Sequence, residues 1–174
     1  MTQIDWTRFN WPEIFGTMDA SKSLEGEQYK FMKSDIQERC AEQWSDGQLR
    51  YVGNTQIGKD YIGIDGFRYE SKVVQGLIQK RVPHTKPIIL KNYRGNSTGI
   101  PEQTFDFMIA YDSTKNTVLL APWDVCMKMM NMKDASLNIN LLVGQCEIIA
   151  KDVEPIKKKW CLKEKYNTML NECM

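Results

Sequence analysis

The chain has 174 residues, 42% of them hydrophobic, and a formal net charge of +1. This is enough chain for one substantial core and short for two independent domains. No stretch approaches the roughly 18 apolar residues a membrane span needs, and the start MTQIDWTRFNWPEIF lacks the basic-then-apolar layout of a signal peptide, so a cytoplasmic protein is expected. The cysteines at 40, 126, 146, 161 and 173 form no CxxC pair and are odd in number, which argues for reduced, mostly buried thiols rather than a zinc site or a closed disulfide framework. A single histidine, His84, argues against a histidine-based metal site or a catalytic triad. Any chemistry must rest on carboxylates and lysines.

In chain order, residues 1–47 read as a helical N-terminal part. Asn10 can cap a helix with Pro12 in its first turn and Glu13 at the capping-box position, and Trp11, Ile14, Phe15 and Met18 recur at helical spacing. A longer helix is expected over Leu24 to Trp44, with Tyr29, Met32, Ile36, Cys40 and Trp44 as its apolar stripe, ended by Ser45-Asp46-Gly47. From about residue 48 the texture changes to short strands, the core of the domain to about residue 126. Asp60 to Val74 holds an Asp-Gly turn between β-rich flanks, the strongest local hairpin signal in the chain. Further strands are expected at Pro87 to Leu90, Phe105 to Tyr111 and Thr117 to Leu120, the last two joined by a turn at Asp112 to Asn116. Ala121-Pro122-Trp123-Asp124 opens a helix whose methionines, Met127, Met129, Met130 and Met132, read as core filler. Residues 127–174 add a strand over 139–150 and a terminal helix over Glu154 to Leu170. The sum is one α/β (α+β) domain spanning 1–174, with a central mixed sheet of about five strands flanked by helices.

Charge is unevenly spread along the chain. Residues 1–70 carry 8 Lys and Arg against 12 Asp and Glu, whereas residues 71–101 carry Lys72, Lys80, Arg81, Lys86, Lys91 and Arg94 and no acid. A second basic group, Lys157, Lys158, Lys159, Lys163 and Lys165, lies near the C-terminus. Such runs are usually solvated faces, but an acid-free stretch of this length beside an acidic half also suits phosphates.

Within the hairpin stand two acids and a lysine. Glu70 and Lys72 are two apart on a strand and so leave the same face. Asp60 joins them only if the turn is the three-residue loop Ile64-Asp65-Gly66 with Gly66 left-handed; a two-residue loop would turn it to the other side. Two carboxylates so close repel unless a cation sits between them, and hard oxygen donors leaving room for water suit Mg²⁺, with Mn²⁺ as a substitute. Lys72 would offset charge developing on a phosphate. The acid, ten residues and Glu-x-Lys pattern is by itself weak, since alternating charges on a half-exposed strand are common. Glu38 and Glu42 can be read as auxiliary acids for such a site, although a solvated helix face is the more usual fate.

The segment Gly58 to Arg94 carries a Gly-x-Asp entry, the interval from Asp60 to Tyr69-Glu70-x-Lys72, and then His84, Pro87, two aliphatics and Tyr93-Arg94. Over these residues it resembles the catalytic core of restriction endonucleases of the PD-(D/E)xK nuclease superfamily. The likeness covers about forty residues; the strand, turn, strand and helix pattern of Phe105 to Val125 is similar in arrangement, and the rest has no counterpart. The resemblance implies a restriction-endonuclease-like core, Asp60 and Glu70 as metal ligands, Lys72 as the catalytic lysine and Tyr93 near the scissile phosphate. It implies double-stranded DNA as substrate, and cutting of a symmetric site implies a homodimer. Val82-Pro83-His84-Thr85 departs from the family's base-reading segment, which is rich in histidine, so the target sequence does not carry over. By residue type alone, His84, Thr85, Asn92 and Arg94 can reach base edges, and Lys80, Arg81, Lys86 and Lys91 suit phosphates. Tyr93 is equally well read as an amphipathic strand residue and His84 as a surface loop residue. The expected function is Mg²⁺-dependent cleavage of duplex DNA. The alternatives are a structure-specific nuclease such as a junction resolvase, or a non-catalytic nucleic-acid-binding protein on a nuclease fold.

Overall fold

The computed structural model describes residues 2–20, 38–52, 59–74, 76–79, 82–85, 87–90 and 102–160. At their centre is a six-stranded mixed sheet, one strand more than the sequence suggested. Its members are β2 (Leu49–Tyr51), β3 (Tyr61–Gly63), β4 (Arg68–Val74), β8 (Phe107–Asp112), β9 (Thr117–Pro122) and β11 (Glu147–Ala150), in the order β11-β9-β8-β4-β3-β2. Only β4 and β8 run parallel; every other neighbouring pair is antiparallel.

Side chains alternate along each strand, so each strand feeds two cores. One face carries Val74, Met108, Ala110, Leu119 and Ala121, covered by Cys126 from α3 (Trp123–Met129), Ile139 and Leu142 from α4 (Ile139–Leu142), and Leu137. Leu137 lies in β10 (Ser136–Leu137), which pairs with β7 (Ile88–Ile89). The other face carries Leu49, Tyr61, Tyr69, Ile109, Tyr111 and Val118. It is covered by an aromatic ladder from the first residues of the chain. Trp6, Phe9, Trp11, Phe15 and Tyr111 follow one another at ring-centroid distances of 5.1, 4.8, 5.8 and 4.5 Å. With both faces covered, β8 is buried from Met108 to Asp112, which explains why it reads as a continuous apolar run rather than an alternating one.

The Asn10-Trp11-Pro12 start does open a helix, α1 (Trp11–Ile14), but Asn10 makes no side-chain cap and the helix ends after one turn. Residues 38–44 form α2, the described end of the long helix expected there, and residues 24–37 lie outside the described residues. As expected it stops at Ser45-Asp46-Gly47, where Gly47, at φ 74°, donates its N–H to the Glu42 carbonyl at 2.8 Å.

Elsewhere the sequence misled. Thr17–Ala20, expected to continue a helical segment, is β1, and Lys157–Trp160, expected in a terminal helix, is β12; the two pair in parallel. The expected strand over 139–150 is divided into α4 and β11. Among the described cysteines, Cys126 and Cys146 are free and Cys40 is disulfide-bonded, so the expectation of reduced thiols does not hold for Cys40. Among the described residues no helix is long and apolar enough to cross a membrane.

Candidate active site

The hairpin β3–β4 positions the candidate residues. Its register pairs Tyr61 with Tyr69 and Ile62 with Arg68. The Gly63 N–H donates to the Phe67 carbonyl and the Gly66 N–H to the Gly63 carbonyl, both at 2.9 Å. This makes Ile64-Asp65-Gly66 a three-residue loop, with Gly66 at φ 83° in the left-handed region. Asp65 stiffens it by accepting from the Phe67 N–H at 3.0 Å and the Tyr69 hydroxyl at 2.6 Å. The start of β4 is tied to β8 by Arg68, whose guanidinium grips both oxygens of Asp106 at 3.0 and 3.1 Å.

Glu70 pairs with Met108 and Lys72 with Ala110 across the parallel ladder, so both side chains share the face of Met108, Ala110 and Val74. Asp60 precedes β3 by one residue. Because Tyr61 enters the opposite core, alternation directs Asp60 to the face of Glu70 and Lys72. Its backbone is held from both sides: its N–H donates to the Tyr69 carbonyl at 2.8 Å and its carbonyl accepts from the Val52 N–H at 3.0 Å. Its carboxylate Oδ2 then accepts from the Ser71 N–H at 2.8 Å, replacing the next rung of the ladder with a side chain. Lys72 Nζ lies 2.8 Å from Glu70 Oε1, with 34% of the lysine side chain exposed and 8% of the glutamate. The pair is thus anchored in the sheet while its ammonium still reaches the surface.

Electrostatics act strongly on Asp60 and Lys72. Burial, the charge of Glu70 and the charge of Glu38 push the Asp60 carboxyl up to about 8, against the pull of the Ser71 N–H and of Lys72. Burial works against the Lys72 ammonium, but Glu70, Asp60 and Glu38 together outweigh it and hold its pKa above the ordinary lysine value. Tyr61 is raised well above the ordinary phenol value, first by burial and then by Asp60 and Glu38. The site therefore concentrates negative charge around one ammonium group.

Glu38, read from the sequence either as an auxiliary acid or as part of a solvated helix face, lies half-buried on α2, and its charge acts on Asp60, Tyr61 and Lys72. Glu42 is not free in solvent either: its Oε1 accepts from the Tyr51 N–H at 3.0 Å and so caps the edge strand β2.

Other candidates from the sequence fall differently. His84 and Thr85 lie on β6 (Val82–Thr85), paired with Leu77 and Gly76 of β5 (Gly76–Gln79). Lys80, Arg81, Lys86, Lys91, Asn92, Tyr93 and Arg94 lie outside the described residues.

No protein-family model, no curated protein and no solved structure matches the chain. Among the described residues no group of three His, Cys, Asp or Glu side chains is arranged to hold a metal ion. Asp60 and Glu70, whose charges act on each other, are the carboxylates at this site that could contribute to a cation site. Two carboxylates suit Mg²⁺, which is usually held by one or two of them while water and substrate phosphate complete its shell.

Proposed function

We propose that this protein is a Mg²⁺-dependent endonuclease of the PD-(D/E)xK, restriction-endonuclease type, acting on duplex DNA as a homodimer. The observation that carries the reading is the position of Asp60. It is fixed on the Ser71 N–H and crowded by Glu70 and Glu38, a cluster whose charge is relieved either by a proton or by a cation.

Asp60 and Glu70 would hold the ion. When bound, Mg²⁺ supplies Lewis-acid polarisation of a phosphate and compensates charge on the leaving oxygen. Lys72 does not serve as a base, because its carboxylate neighbours keep it protonated. Its ammonium donates to Glu70 Oε1 with one N–H and keeps two for the non-bridging oxygens of a phosphate, where charge builds as the bond breaks. Ser71 acts by position, orienting the aspartate, and Glu70 besides holding the ion would orient the lysine. In sequence, the acid-free stretch 71–101 begins within the strand that carries Glu70 and Lys72, and its basic residues Lys80, Arg81, Lys86, Lys91 and Arg94 are of the type that suits a phosphate backbone.

Digestion of a sequenced plasmid with Mg²⁺, followed by mapping of the fragment ends, tests the reading. Discrete ends at a short recurring sequence, abolished by EDTA, are expected. Cuts confined to branched DNA would instead support a junction-resolving nuclease. Retention of DNA with no strand scission would support a binding protein on the same fold.

A further inference from the structure

On the face of the sheet away from Asp60, Glu70 and Lys72, the first residues of the chain cross β4 and β8 and leave an open cleft of about 480 Å³. Four of its lining residues are aromatic: Trp6, Phe67 and Phe107 present ring surface, and Tyr69, 2% exposed, backs them from the core. Tyr69 contacts Trp6 edge-on at a centroid distance of 5.8 Å and stacks on Phe107 at 5.7 Å, and Phe67 meets Phe107 edge-on at 5.4 Å. Among the described residues, the charged side chains of the lining are both acids, Asp65 and Glu147, with no Lys, Arg or His.

These features select for charge. Aromatic faces carry a negative quadrupole and favour cations, most of all those that shed their hydration shell cheaply. The Asp65 carboxylate is fixed by the Phe67 N–H and the Tyr69 hydroxyl, one on each oxygen, and each oxygen keeps lone-pair capacity for a further contact. Glu147 is exposed and sits in register with Leu120, which also lines the cleft. An anion would meet the two carboxylates. A bare metal ion would find carbon where it needs a shell of oxygens. An ammonium group bearing alkyl substituents satisfies both surfaces at once, methyls on the rings and charge toward the acids. The volume falls within the roughly 300–1,000 Å³ of small-molecule sites.

We infer that this cleft binds an organic cation, an alkylated ammonium head carried by a small molecule or by a methylated lysine side chain. The nuclease reading plays no part in this inference.

Calorimetric titration of the full chain decides it, with three probes: choline, a glycine-flanked trimethyllysine peptide, and 3,3-dimethylbutan-1-ol, the neutral carbon isostere of choline. At least one of the two cations binds with one-to-one stoichiometry and about tenfold more tightly than the isostere, and the tighter of the two identifies the carrier. Phe67→Ala and Glu147→Gln each weaken that binding about threefold or more. Both positions are surface-exposed, Phe67 at 40%, so neither change empties a core. Absence of binding by both cations, equal affinity for the isostere, or unchanged affinity in both variants would overturn the inference.

Discussion

The Asp60 carboxylate takes a hydrogen bond from the Ser71 N–H and shares its surroundings with Glu70 and Glu38, and the cost of that arrangement can be measured without DNA. Its folded pKa is about 8 against an ordinary value of 3.8. A carboxyl raised on folding contributes stability that is complete below the unfolded value and is lost as pH rises through the folded one. Melting curves in EDTA should therefore show stability falling between about pH 4 and pH 8 and levelling above it, with the fall much reduced in Asp60→Asn. Asp106, held below its ordinary value chiefly by the Arg68 guanidinium, acts in the opposite sense below that window and does not mask the effect. Mg²⁺ should raise the melting temperature more at pH 8 than at pH 5, because the cation replaces a proton that has already left. For catalysis, Lys72→Ala should lower kcat by at least about a hundredfold while leaving DNA binding largely intact, a split that single-turnover cleavage and filter binding would separate. Near-normal cutting by that variant would remove Lys72 from the mechanism.

At the scale of elements, the β3–β4 hairpin makes its own prediction. Gly63 cannot carry a side chain, since a Cβ there would lie 2.5 Å from Asp65 Oδ1, 2.8 Å from Tyr69 Cε2 and 2.9 Å from Ile4 Cδ1. Tyr69 is only 2% exposed and has nowhere to move. Gly66 has open space around it and needs only its positive φ. Urea unfolding should show Gly63→Ala costing the upper part of the roughly 1–3 kcal/mol typical of overpacking. Gly66→Ala should cost about 1 kcal/mol, and equal losses at the two positions would contradict the packing argument.

The same hairpin was legible in the sequence because its information is local. Asp65-Gly66 marks the turn, and requiring Asp60 and Glu70 to meet selects a three-residue loop. The pairing of β1 with β12 was not legible, because Thr17 meets Lys157 across most of the chain and Lys157-Lys158-Lys159 reads locally as a solvated helix face. The run Ile139-Asn140-Leu141-Leu142 is too short for periodicity to separate a strand from one turn of helix. For Glu38 the sequence leaves two readings open, auxiliary acid or solvated face, because its effect on Asp60 depends on how α2 lies against the sheet and nothing in its own neighbours encodes that.

At the scale of the whole molecule, the sheet separates two chemistries. One face carries Asp60, Glu70 and Lys72, and the other holds the aromatic and acidic cleft beneath the first residues of the chain. A net charge of +1 offers little long-range attraction for DNA, so binding should depend on the local cluster and weaken with salt. Replacing Lys80 or Arg81 by Ala should weaken binding similarly across DNA sequences and reduce the salt slope by about one each, as filter binding over a salt series would show.

A divalent cation held by Asp60 and Glu70 is the centre of the proposed chemistry. Crystals grown with duplex DNA and soaked in Mn²⁺, measured for anomalous scattering, would locate it directly. A peak within coordination distance of both carboxylates, absent in Asp60→Asn, is the predicted result; DNA seated over Lys72 with no peak between the two acids would contradict it.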